Sequence, residues 1–249
     1  MSPEEEKKEE VEEKKEKQPS DRILVYAVIA LICLVIIFSL VRFFAPTQEE
    51  VLTIEDAHKS NIKGKLDPEQ GYMYGPHSFI KFGGLWYFQI QQGGILVNVP
   101  LRYGPKEVED IPLYGGLDNR FNNATTIYVA FNPRGRELTY VALAVGELTQ
   151  SLNKAFGNEV IAVCDSDCDS EACSACEGRP ILTCNNTEEA IIHLVDSPAP
   201  KILLKGNCIE INGYGYDLVR HVDRLLLEFY TVMKTTPEPL PESELFLSR

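Results

Sequence analysis

The chain has 249 residues, 44% of them hydrophobic, and carries 37 acidic against 24 basic side chains for a formal charge of -13. That sign opposes general attachment to a phosphate backbone, so no nucleic-acid partner is expected. The apolar residues are unevenly placed: residues 23–41 hold no charged side chain, which argues for a membrane-anchored chain over a cytosolic enzyme.

Residues 1–22 are dominated by Glu and Lys and contain no aromatic residue. They cannot bury enough apolar surface to offset ordering entropy and read as a solvated cytoplasmic tail. Docking of a basic cytoplasmic partner is the functional alternative. Residues 23–44 read as a transmembrane helix, since ILVYAVIALICLVIIFSLV has no polar face and only Tyr26, Cys33 and Ser39 bring polar side-chain atoms. At 1.5 Å per residue it is long enough for roughly 30 Å of hydrocarbon. Lys8, Lys14, Lys15, Lys17 and Arg22 precede the span, whereas Lys59 is the cation at comparable distance beyond it. The positive-inside rule therefore places the N-terminus in the cytoplasm and the C-terminal domain outside. A cleaved signal peptide would have a shorter apolar core and a small-x-small site, which Ala45-Pro46-Thr47 does not supply. A pilin-like leader would end in glycine where Asp21-Arg22 stand. The segment reads as an uncleaved, single-pass signal anchor.

Residues 45–78 show little periodicity and are expected to form a stalk, residues 79–235 an extracytoplasmic α+β domain, and residues 236–249 a Pro-rich disordered tail. Within the domain, residues 85–91 (LWYFQIQ) and 95–101 (ILVNVPL) flank Gln92-Gly93-Gly94 and predict a β-hairpin. Residues 126–131 (TIYVAF) predict a strand closed by the turn Asn132-Pro133-Arg134-Gly135. Leu138, Val141, Val145, Leu148, Leu152 and Phe156 then recur at helical spacing, with Gly157 placed as a left-handed C-cap. Strands are expected at 160–163, 181–184, 190–195, 201–204 and 208–211. Leu218, Val222, Leu225, Leu226, Phe229 and Met233 predict a second amphipathic helix. The result is a mixed sheet covered by two helices and stapled by disulfides. Aromatics between Tyr72 and Phe88, including Tyr74, His77, Phe79, Phe82, Trp86 and Tyr87, suit a sheet face more often than a partner surface.

Cys33 lies in the span, while Cys164, Cys168, Cys173, Cys176, Cys184 and Cys208 crowd a short stretch of the domain. An even set outside the cytoplasm predicts disulfides. Cys184 and Cys208 fall in predicted strands and are expected to pair across neighbours, leaving the other four to staple the acidic loop to itself and to the strand end. Four thiolates around Cys173-Ser174-Ala175-Cys176 are the zinc alternative, but the spacing is not that of two separated knuckles. Thiol–disulfide exchange through Cys173/Cys176 would want a helix N-terminus there, and Gly178 and Pro180 interrupt any helix. Asp165, Asp167 and Asp169 alternate like the start of a calcium loop, yet Ser170 and Cys176 occupy the glycine and glutamate positions of that loop, so they are weak calcium candidates.

None of His58, His77, His193 and His221 belongs to a recognisable catalytic motif. Asp217 and His221 share a helix face, beside Arg220, Asp223 and Arg224. An external metal-dependent hydrolase would need a histidine and carboxylates to meet in a cleft. Asn123 and Asn185 begin glycosylation sequons, consistent with exposed loops.

The order of residues 141–152 (VALAVGELTQSL), 179–184 (RPILTC), 206–211 (GNCIEI) and 222–226 (VDRLL) resembles that of uncharacterised archaeal single-pass membrane proteins with cysteine-bearing external domains. The resemblance covers residues 126–233 and implies an extracytoplasmic location without an assigned activity. Cys168 and Cys173 stand outside that pattern. With no catalytic constellation and no cofactor motif, the expected function is an anchored module that binds a surface partner or supports the cell envelope.

Overall fold

The computed structural model describes residues 21–44, 53–167, 173, 176–234 and 238–241. The chain divides into two units, Met1–Val51 and Leu52–Arg249, each considered by itself. In the first, helix α1 (Asp21–Phe44) has no polar stripe to bury, and its described side chains from Ile23 to Leu40 are all exposed. It is long and apolar enough to cross a membrane.

The second unit starts earlier than the composition indicates. Residues 54–78, expected as stalk, contain helix α2 (Ile54–Ile62), strand β1 (Gly71–Tyr74) and the start of β2 (His77–Phe82). Thr53 caps α2 by accepting the Asp56 N–H. No apolar stripe announces this helix, because buried polar groups hold it. Asn61 donates to the carbonyls of Tyr72 and Phe79 and to Ser78 Oγ, and His58 Nδ1 meets the same Oγ at 2.9 Å.

Strands β1 and β2 continue into β3 (Leu85–Gln92) and β4 (Ile95–Leu101) as an antiparallel meander. The β3–β4 hairpin is the expected one, turning at Gly93 and Gly94 with φ of +57° and +87°. Pairing Phe88 with Val99 and Trp86 with Leu101 puts all four on one face. There Phe79 stacks on Phe88 with centroids 5.1 Å apart, and Trp86 meets Tyr72 edge-on at 4.9 Å. The aromatic segment is therefore mainly core, with Phe82 an exposed exception.

The second sheet has six strands in the order β5-β9-β10-β8-β6-β7. These are β5 (Leu113–Leu117), β6 (Thr126–Phe131), β7 (Glu159–Cys164), β8 (Ile191–Asp196), β9 (Lys201–Gly206) and β10 (Cys208–Gly213). Parallel β6 and β7 need a crossover, and helix α4 (Leu138–Ser151) supplies it, whereas the short α3 (Asn119–Asn122) precedes β6. A π-turn, Leu152–Phe156, extends α4 to Gly157, whose φ of +75° is the expected left-handed cap. Helix α5 (Tyr216–Phe229) follows β10 and packs on α4. It ends before Met233, which is buried as the chain folds back and the Val232 and Met233 N–H groups reach Leu227 O.

Alternation sorts the sheet's two faces. Ile192, Leu194, Ile202, Leu204, Ile209 and Ile211 join α4 and α5 in the main core, each buried side chain contributing about 1.5–3 kcal/mol. Ile191, Ala130, Val163 and Cys208 form a smaller cluster on the opposite face, against Leu182 and Cys184 of the cysteine loop. The expected strand at 181–184 is absent: Pro180 and the turn at Cys184–Asn186 leave only a bridge between Ile181 and Cys164.

Both edges of this sheet are covered. At β7 the Ile181 bridge is joined by the Arg179 guanidinium, which donates to Ala162 O at 2.6 Å. At β5, Gly115 N–H donates to Glu238 O, and Glu238 N–H donates to Leu113 O. Part of the segment expected as a disordered tail thus adds to the sheet, a pairing no apolar pattern foretells.

A buried carboxyl pair fixes α4 and α5 to the end of β4. Asp223, fully buried on α5, accepts the backbone N–H groups of Arg102 and Tyr103 at 2.9 and 2.8 Å. Glu147 of α4 receives Arg102 Nε at 2.6 Å. The remaining oxygens, Glu147 Oε2 and Asp223 Oδ1, have no other hydrogen-bond partner among the described residues, and two carboxyls can bond each other only by sharing a proton. Burial pushes both pKa values up, and for Asp223 the nearby Glu147 charge adds to the rise.

The folded state therefore binds protons more tightly than the unfolded chain. The stability this confers is present below the ordinary Asp value of 3.8 and is lost as pH rises through the raised pKa. Asp223→Asn, which keeps an acceptor for the two N–H groups and supplies a donor to Glu147, is expected to flatten that loss in urea unfolding measured from pH 4 to 8. Asp223→Ala strands both N–H groups and is expected to cost about 1–3 kcal/mol or more at every pH.

Candidate functional site

Two places bring chemistry-bearing side chains together. The first is the face of the six-stranded sheet opposite the helices. Register places His193 of β8 beside Glu210 of β10, and Cys208 lies two residues before Glu210 on the same side. Asp165, just beyond β7, reaches His193 Nε2 at 3.1 Å. Lys205 Nζ meets Glu210 Oε2 at 3.0 Å, and Asn212 Nδ2 donates to Glu210 Oε1 at 2.8 Å. These side chains are largely covered, with His193 at 13% and Asp165 at 15% exposure. Burial alone would raise the Asp165 pKa, but hydrogen bonds from His193 and Ser166, with the charge of His193, hold it below the ordinary value.

The cysteines lock this face. Cys184 is bonded to Cys208, with Cα atoms 5.4 Å apart, although Cys184 sits in a turn and not in the strand expected of it. Cys164, ending β7, is bonded to Cys176, with Cα atoms 5.9 Å apart. Cys173 is disulfide-bonded as well, and Cys168 lies outside the described residues. The Cys173/Cys176 pair therefore does not close on itself, which removes the dithiol that exchange at this motif requires. The Cys164–Cys176 bond likewise removes two of the four thiolates of the zinc alternative.

The expected calcium ligands do not converge among the described residues. Asp165 is turned to His193, Asp167 has an interaction of its own, and Asp169 is outside the described residues. His221 is buried on α5, its Nδ1 2.5 Å from Asp217 O, so the helix backbone rather than the Asp217 carboxylate engages it. Being on opposite sides of the sheet, His193 and His221 do not share a cleft. Asn123 and Asn185 are both exposed, as acceptors of a glycan must be.

The second place is a shallow crevice at the carboxyl ends of β6, β8 and β10, between the first turns of α4 and α5, with a cavity volume of only about 10 Å³, room for about one water molecule. The chain leaves β6 towards β7 and leaves β8 towards the opposite edge, so a gap opens between them; open α/β sheets receive ligands at such a switch point. Glu137, Asp196, Leu194, Gly213, Tyr214 and Gly215 line it. Asp196 Oδ2 accepts the Arg136 N–H at 2.9 Å and braces the loop after β6. Glu137 takes a left-handed φ of +53°, uncommon for a side chain of its size. Gly215, at φ +59°, has no Cβ to collide with the Glu137 carboxylate, which a Cβ would approach to 2.8 Å. Tyr140 and Tyr216 meet edge-on across the two helix starts at 4.7 Å, and Tyr214 and Tyr216 are exposed. Carboxylates, exposed aromatic rings and open backbone at a concave site suit a polar, hydroxyl-bearing or cationic group. The strand turn Asn132-Pro133-Arg134-Gly135 was visible in the sequence, but its convergence with residues 213–216 depends on sheet order.

Asp165 contributes stability above pH 3.8 that is lost as pH falls through its depressed pKa. With His193→Ala the burial and the Ser166 hydrogen bond remain and the histidine is gone. The Asp165 carboxyl is expected to titrate higher in NMR than in the wild type, and the acid limb of the stability curve is expected to lose part of this contribution. An unchanged Asp165 titration would mean that the histidine does not hold the charge.

No protein-family model, curated protein or solved structure matches this chain.

Proposed function

We propose that this chain is a single-span membrane protein that presents a disulfide-stapled α+β domain outside the cell, where it binds a surface or envelope partner through the crevice between α4 and α5. The observation that carries the reading is the combination of two solvents in one chain. Helix α1 exposes apolar side chains all round, which suits lipid, and the domain holds its cysteine loop with disulfides, which suits an oxidising exterior. Cations before the span favour a cytoplasmic N-terminus. The crevice supports binding because two carboxylates, Glu137 and Asp196, and the exposed Tyr214 line it at a sheet switch point, with the exposed Tyr216 next in the chain to the lining Gly215.

The test uses the full chain in intact cells. A photo-crosslinking residue replacing Tyr216 is expected to yield a defined adduct, and the same residue replacing Tyr87 on the other sheet is not. Asp196→Arg with Glu137→Arg is expected to abolish the Tyr216 adduct while external protease still cleaves the domain. Equal adducts from both positions would overturn the crevice, and a domain protected from protease in intact cells would overturn the topology.

A further inference from the structure

We propose that reduction of the Cys184–Cys208 bridge creates a divalent-metal site, of the zinc type, from Cys184, Cys208, His193 and Glu210. Ligand atoms of Cys184, His193 and Glu210 already lie within 4.8 Å of one another, and the Cys208 sulfur is bonded to that of Cys184. A tetrahedral zinc ion with sulfur and nitrogen or oxygen ligands holds its donors about 3.3–3.8 Å apart, so a contraction of the order of 1 Å completes the set. Three of the four donors stand on β8 and β10, adjacent strands in the middle of the sheet. The fourth arrives on a turn that Asn186 fixes by accepting the Thr183 N–H and donating to Ile181 O.

The surrounding groups fit the task. Asp165 engages His193 Nε2, leaving Nδ1 to ligate, which is the carboxylate–histidine arrangement that orients metal-binding imidazoles. Asn212 and Lys205 each hold one oxygen of Glu210, and ligation requires Lys205 to yield its oxygen or share it. In the oxidised chain both sulfurs are spent in the S–S bond, and thiolate is the form that binds metal. Only His193 and Glu210 remain as donors. A dithiol reductant passes two electrons and two protons to the bridge and closes to its own disulfide; the two thiols then release their protons to solvent as the metal binds. The metal site is therefore gated by redox state, and it does not rest on the crevice or on the direction of the membrane span.

The test is cobalt titration of the full chain in detergent, with far-UV circular dichroism to follow the fold. The oxidised chain is expected to show no thiolate-to-cobalt absorption, and the chain reduced and desalted without air is expected to show it. Reduction also frees cysteines of the acidic loop, so His193→Gln and Cys208→Ser distinguish the sites: each is expected to weaken one cobalt by at least about tenfold and leave any loop site unchanged. If reduction unfolds the domain, the double variant Cys184→His with Cys208→His provides donors that need no reductant. It is expected to bind cobalt at least about tenfold tighter than the oxidised wild type with the loop disulfides intact. The proposal fails if the two single variants bind as the reduced wild type does, or if the folded double variant binds no tighter than the oxidised wild type.

Discussion

The six-stranded sheet has two faces to cover, and α4 and α5 cover one of them. On the other, Leu182 and Cys184 pack down from the cysteine-bearing segment, whose sequence from 165 to 190 is rich in Asp, Glu, Ser and Cys and holds few large apolar side chains. Such a segment cannot stay down by hydrophobic burial alone. Covalent bonds keep it there: Cys164–Cys176 ties the loop back to the end of β7, and Cys184–Cys208 nails its far end to β10. Constraining the unfolded chain in this way typically stabilises by about 2–4 kcal/mol per bridge. The half-buried His193–Asp165 pair and the Glu210–Lys205 pair exist under that cover, so their chemistry depends on it.

The opposite face follows different physics. There α4 and α5 bury a continuous apolar stripe, and within it lie ionisable exceptions, Arg224 and Asp223 among them. Arg224, fully buried, donates to Ile111 O and pairs with Glu228. Asp223 receives the two N–H groups that end β4. These polar links join the helix layer to the segment between the two sheets, which apolar contacts alone would leave free to slide. A buried polar group placed at such a junction specifies one arrangement at a cost in stability.

What the sequence disclosed tracks how regular each signal is. The β3–β4 hairpin, strand β6, and α4 with its Gly157 cap were legible because alternation, helical spacing and glycine each carry a local physical reason. Helix α2 was not, since it is anchored by Asn61 and His58 through bonds to β1 and β2, and such bonds leave no periodic trace. The pairing of Cys184 with Cys208 was expected, but on the ground of two facing strands, whereas a turn delivers Cys184. The cluster around His193 assembles residues 165, 193, 205 and 210, which only the order of strands brings together. One signal was present: His193 between Ile192 and Leu194, and Glu210 between Ile209 and Ile211, are polar residues inside apolar strands, the mark of a second face that differs from the first.

The strand-like contact of Glu238 with β5 has a consequence for the chain's association behaviour. Without it, the Leu113 carbonyl and the Gly115 amide would sit bare along an unguarded border, the template on which a second molecule's backbone can zip. Glu238 occupies that border, and Pro239 and Pro241 after it, lacking amide hydrogens, cannot themselves pair as a full further strand. A truncation ending before residue 238 would turn a self-limited lobe into a polymerisable one.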